Sequence, residues 1–144
     1  MSELRIAVIG AGHLGRIHAK LLGQVDGGKL VAVSDPFEAA RKNAKDLFNV
    51  PVYADYRECL PDIDAAVIAA PTDMHADIAQ TLLNAGKHVL VEKPLTIERD
   101  DANRLSALAN AKKLTLQVGH VERFNPAFTA LEKLAVDVKY VENM

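Results

Sequence analysis

The chain has 144 residues, 49% of them apolar and 25% charged, with a formal net charge of −2. That composition fits one folded domain and excludes a disordered chain, and its weak acidity gives no electrostatic footprint for a nucleic-acid or membrane partner. No apolar run reaches the roughly 18 residues of a membrane helix, the N-terminus lacks the pattern of a signal peptide, and the single cysteine, Cys59, excludes an intrachain disulfide and points to a reducing cytoplasm.

Residues 4–9 (LRIAVI) read as a first strand ending in a glycine-rich turn. Leu14, Ile17, Leu21, Leu22 and Val25 follow at helical spacing, then 30–34 as a second strand. Pro36 suits the first turn of a helix continued by Ala39, Ala40, Ala44, Leu47 and Phe48. Residues 50–53 are a short strand candidate, and 64–70 (DAAVIAA) a buried one. Thr72 is the expected N-cap of a helix running to about residue 85, with Gly86 as its stop. Further strands are expected at 87–91 and 114–118, around a helix at 97–113 with acidic residues at its start and Lys112-Lys113 at its end. A last helix is expected over 125–135 and a last strand over 136–141. Strands alternating with helices, each strand a continuous apolar run, imply an α/β fold with a mostly parallel sheet covered on both faces.

Gly10-Ala11-Gly12-His13-Leu14-Gly15 spells G-x-G-x-x-G between the first strand and the first helix, the context that gives this motif meaning. Gly10 allows the tight turn, Gly12 lets backbone approach a pyrophosphate, and Gly15 lets the helix close on the strand. Backbone N–H groups at the helix start then face the phosphates. The whole motif, with His13 and Leu14, is the expected phosphate site of a doubly wound, Rossmann-type dinucleotide-binding sheet. Asp35 follows the second strand, 20 residues beyond Gly15, where a carboxylate would accept hydrogen bonds from the adenine ribose and repel a 2′-phosphate. The expected cofactor is therefore NAD in preference to NADP, with Arg41 and Lys42 too far into the next helix to compete. The competing reading of Asp35 is a cap on that helix. His13 and His18 lie close to the turn, and packed or solvated rings compete with ligand contact for both. Cys59 reads as buried and inert.

Two more strand ends carry polar residues: Pro71-Thr72-Asp73-Met74-His75 and Glu92-Lys93-Pro94. Lys93 at the mouth of such a site can steer a substrate hydroxyl or give up a proton. The competing reading is a solvated Glu92–Lys93 ion pair.

GAGHLGRIHAKLL, APTDMH, VLVEKPL and GHVERFNPA, in this order, resemble the glucose–fructose oxidoreductase / inositol dehydrogenase family along essentially the whole chain. The resemblance implies an NAD-dependent oxidoreductase that moves a hydride between NAD and a hydroxyl of a sugar, cyclitol or nucleotide sugar. It places Lys93 between nicotinamide and substrate as the catalytic residue and Glu92 on the cofactor ribose. It lays Pro71, Thr72 and His75 along the dinucleotide. The stretch 119–126 looks most like the branch acting on UDP-N-acetylglucosamine. Family members are about twice as long, with a second domain that holds the substrate and an acid/base histidine. The expectation is thus a dinucleotide-binding domain over 1–120, with 121–144 as a linking helix and first strand of a substrate domain that is otherwise missing. A homo-oligomer is expected, and no metal. A non-catalytic NAD-binding or redox-sensing module is the alternative, and a methyltransferase a third reading disfavoured by E-K-P.

Overall fold

The structure is a computed structural model, and it describes residues 3–132. The expected strand over 136–141 and the end of the helix expected over 125–135 lie outside the described residues. Six parallel strands form one sheet: β1 (Leu4–Ile9), β2 (Gly28–Ser34), β3 (Val52–Tyr53), β4 (Ala65–Ile68), β5 (His88–Val91) and β6 (Leu116–Val118). Their order is β3-β2-β1-β4-β5-β6, so the chain winds outward from β1 in both directions. This is the doubly wound order with its switch point between β1 and β4, where such sheets bind ligands beyond the strand carboxyl ends.

Helices α1 (His13–Leu22) and α2 (Glu38–Phe48) cover one face, and α3 (Thr72–Asn84) and α4 (Arg99–Lys112) cover the other. A short α5 (Pro126–Glu132) follows the sheet. The strands read as unbroken apolar runs because successive residues enter different cores. Ala7, Ile9, Ala66 and Ile68 pack with Ile78, Leu82, Leu83 and Leu105, while Val8, Val33 and Val67 pack with Ala19 and Ala44.

Several boundaries differ from the sequence expectation for identifiable reasons. In α1 the buried residues are Gly15 and Ala19, while Leu14, Ile17 and Leu21 are exposed. Helical spacing found the helix but not its inner face, because small residues let it close on the sheet. Val25 lies beyond the helix, which ends at the cap residue Gly23. Helix α2 begins at Glu38 after an extended Phe37, so Pro36 lies ahead of the helix. Thr72 is the first residue of α3 and Pro71 its N-cap, with no side-chain cap bond. Gly86 follows the cap residue Ala85 at φ 76° and donates its N–H to the Leu83 carbonyl at 3.0 Å.

Two 3₁₀ segments escaped the pattern reading: Tyr56–Asp62 and Val121–Phe124. The first is opened by Asp55, which caps the Arg57 N–H and whose own N–H is met by Glu58. It buries Cys59, whose Sγ lies 3.0 Å from the Tyr56 carbonyl oxygen. Burial pushes that thiol up to about 11, so it is an inert core group.

Candidate functional site

The turn between β1 and α1 is built around its glycines. Gly10 has φ 95°, and a Cβ there would sit 2.6 Å from the Ala69 carbonyl oxygen. A Cβ on Gly15 would collide with the Gly10 carbonyl oxygen, so helix and turn are in direct backbone contact. Gly12 is different: a Cβ there meets nothing within 4 Å. The space in front of Gly12 is open, and α1 begins there with no side-chain cap on its first N–H groups. Open space before uncapped donors fits the pyrophosphate of a dinucleotide.

Asp35 directly follows β2 and is 8% exposed. Its Oδ2 accepts from the Ala11 N–H at 2.8 Å and its Oδ1 from the Phe37 N–H at 2.9 Å. The carboxylate therefore ties the second strand to the phosphate turn. Each oxygen retains capacity for a further hydrogen bond, which fits a ribose diol. The capping reading holds only for the Phe37 N–H just before α2. Arg41 is closer than its place in the sequence suggested. Its Nη1 reaches back to the carbonyls of Asp35 and Pro36, at 2.9 and 2.8 Å.

A cleft of about 620 Å³ runs from Asp35 across Gly10 and Gly12 to Pro71. Phe37, Tyr56, Arg57 and Met74 also line it, and pattern reading singled out none of them. The Arg57 guanidinium lies 4.7 Å from the centre of the Tyr56 ring. Their signal was positional: Phe37 follows β2, Tyr56 and Arg57 follow β3, and Met74 follows β4, all beyond the carboxyl end of the sheet. His13 lines a different and larger groove, of about 1150 Å³, between α1 and the start of β2. Leu14 is exposed at the helix start.

The other end of the mouth is formed by the loops after β4, β5 and β6. His75 is 1% exposed. Its Nδ1 lies 2.9 Å from the Pro94 carbonyl oxygen and its Nε2 2.8 Å from that of Ala70. The buried ring bridges the loop after β4 and the loop after β5, a neutral ring donating its one N–H to one of the two carbonyls. Thr72 is half-buried at the start of α3. Glu92 is buried and lies 2.7 Å from His18, so the reading of a solvated Glu92–Lys93 ion pair does not hold. Lys93 is exposed, its peptide bond to Pro94 is cis, and among the described residues it forms no ion pair.

A doubly wound parallel sheet with a glycine turn open to phosphate and a buried carboxylate directly after β2 defines a dinucleotide-binding domain. The profile of the oxidoreductase family with NAD-binding Rossmann fold matches residues 4–120, and the chain belongs to that family. It is 36% identical over 135 residues to inositol 2-dehydrogenase of Rhizobium meliloti, covering 93% of this chain and 41% of that protein. It is 34% identical over 134 residues to UDP-N-acetylglucosamine 3-dehydrogenase of Acidithiobacillus ferrooxidans, covering 92% and 42%. The crystal structure of GenD2 from gentamicin A biosynthesis, in complex with NAD, superimposes with a TM-score of 0.90 at 32% identity, covering 95% of this chain and 40% of that one. The chain thus spans about two fifths of the length of these relatives. Among the described residues no helix is long and apolar enough to cross a membrane.

Proposed function

We propose that this chain is the dinucleotide-binding part of an enzyme that transfers a hydride between NAD and a hydroxyl carbon of a sugar, cyclitol or nucleotide sugar. The observation that carries the proposal is the open phosphate turn at Gly12 joined by hydrogen bond to the buried Asp35 carboxylate. In this reading Asp35 takes the adenine ribose, and Gly10, Gly12 and the N–H groups of His13, Leu14 and Gly15 take the pyrophosphate. Because β4 and β5 lie on the far side of the switch point, Pro71, Thr72 and Lys93 take the nicotinamide half. His75 and Glu92 hold that end in shape.

Bound NAD supplies the hydride acceptor, and the chain supplies orientation and charge. Lys93 places an exposed ammonium at the strand mouth, where it can hydrogen-bond the reacting oxygen and favour its loss of a proton. Residues 1–120 form the dinucleotide unit in this proposal, a reading supported by the extent of the family match and by the last strand among the described residues, which ends at Val118. The chain is also proposed to be cytoplasmic and self-associating. The exposed Leu14, Ile17 and Leu21 on one side of α1 support association.

The test is calorimetric titration with NADH and NADPH, followed by assay of NADH production from a panel of cyclitols, sugars and nucleotide sugars. Tighter binding of NADH, with no meaningful turnover by these 144 residues alone, is expected. Proximity contributes about 7–11 kcal/mol to such reactions and needs walls that hold the substrate. Equal affinity for the two cofactors removes the role given to Asp35. Robust turnover shows that the chain is a catalyst by itself.

A further inference from the structure

Glu92 is 7% exposed, and a carboxylate at that depth is costly unless its charge is met. Its Oε1 lies 2.7 Å from His18 Nε2, and its Oε2 accepts from the Lys93 N–H at 3.2 Å. Gly119 closes the third side, since a Cβ there would come within 3.2–3.3 Å of the carboxylate. An ionised carboxylate only accepts, so the imidazole presents its proton at Nε2. Three segments converge on this one group: the second turn of α1, the end of β5 and the turn after β6. The α1 side of the contact is firmly seated, because Gly15 packs against the Gly10 carbonyl one turn earlier.

We propose that His18 is a positioning residue: by holding the Glu92 carboxylate it fixes the backbone at Lys93, and with it the seat of the nicotinamide half, without touching the cofactor itself. The inference rests on the NAD reading given above. It gives Glu92 a tether, and each carboxylate oxygen keeps capacity for a further hydrogen bond. The same helix then serves both halves of the cofactor, with its N-terminus toward the phosphates and its second turn braced against the lysine loop. A Cβ at 119 would press on the same carboxylate, which would have to give by a few tenths of an ångström.

The test separates positioning from general stability by using two ligands. ADP fills only the adenosine and phosphate end, whereas NADH also needs the lysine end. His18→Ala is expected to weaken NADH about tenfold while leaving ADP within about twofold. His18→Gln, whose amide can still donate to Glu92, is expected to recover most of the loss. Equal weakening of both ligands, or unchanged NADH affinity, overturns the proposal. A measurement on the unaltered chain is independent of whether variants fold: nitrogen–proton correlation of the His18 ring should find the proton at Nε2, and a ring protonated only at Nδ1 overturns the pair. If the unaltered chain binds neither ADP nor NADH, the NAD reading itself fails. If it binds both and His18→Ala does not discriminate, only the role of His18 fails.

Discussion

The adenosine end and the lysine end of the mouth are built in opposite ways. The hydrogen bonds that shape the proposed adenosine end lie within one continuous stretch, β1 through the start of α2, and those of the glycine turn and the Asp35 carboxylate have backbone donors: the Gly10 N–H to the Ser34 carbonyl and the Ala11 and Phe37 N–H groups to the Asp35 carboxylate. The lysine end is held by side chains that reach across the fold, from His18 to Glu92 and from His75 to the Ala70 and Pro94 carbonyls. The first design leaves donors free at Gly12 for a ligand. The second spends its polar atoms on holding loops, and leaves the exposed Lys93 free of any ion pair among the described residues. A substitution at Gly12 should therefore remove binding and spare the fold, whereas one at His75 should disturb both.

The largest effect is expected at Gly12. Gly12→Val adds a branched side chain into open space, so circular dichroism should show unchanged helix content. The same side chain fills the phosphate approach, and NADH affinity should fall by at least about 100-fold. Normal binding by this variant would place the phosphates elsewhere. His75→Ala probes the contrasting end. It removes a buried ring and the hydrogen bond that the ring donates to a loop carbonyl, which should cost about 2–4 kcal/mol in chemical denaturation. Unchanged stability would mean that the two loops are held by other contacts.

A smaller effect is expected at Asp35. Asp35→Ser keeps an acceptor but removes the charge, so NADH should weaken and NADPH strengthen, narrowing the gap between them about tenfold. Arg41, already at the Asp35 carbonyl, is the cation that a 2′-phosphate would then find. The smallest effect lies outside both ends, at the pair of Arg5 with Asp64. The Arg5 guanidinium and backbone N–H hold the Asp64 carboxyl down at about 2, below its ordinary 3.8. A lowered folded value stabilises the fold above the ordinary one, and that contribution disappears as pH falls from about 4 through about 2. Because the pair is exposed, Asp64→Asn should lower the melting temperature at pH 7 by no more than about 4 °C. The difference should shrink through pH 2 and vanish below it, and a difference that persists there would assign it to something other than charge.

The contrast between the two ends also explains what the sequence could reveal. The fold and the turn that joins residues 10–15 to Asp35 were legible because their signals are local: apolar strands, a glycine motif at a strand–helix junction, and an acid after the next strand. The inner face of α1 was not legible, because Leu14, Ile17 and Leu21 have the right spacing and the wrong side, while Gly15 and Ala19 make the close contact. Nor did the sequence show the 3₁₀ turn at Tyr56, although Asp55 and Glu58 spell its capping box. The pairing of His18 with Glu92 joins residues 74 positions apart, and no periodicity encodes it. Family resemblance pointed to Glu92 and His75 as cofactor contacts, and the contacts they make within the protein, Glu92 with His18 and His75 with the Ala70 and Pro94 carbonyls, had no signal in the sequence.

The most direct test of the account is a backbone amide titration of the labelled chain with ADP and then with NADH. ADP should shift the signals of Ala11, Gly12, Leu14 and Phe37 and leave Lys93 and Gly119 unmoved. NADH should shift both sets. NADH that moves only the first set, or that moves neither, would contradict a dinucleotide lying from Asp35 across Gly12 to Lys93.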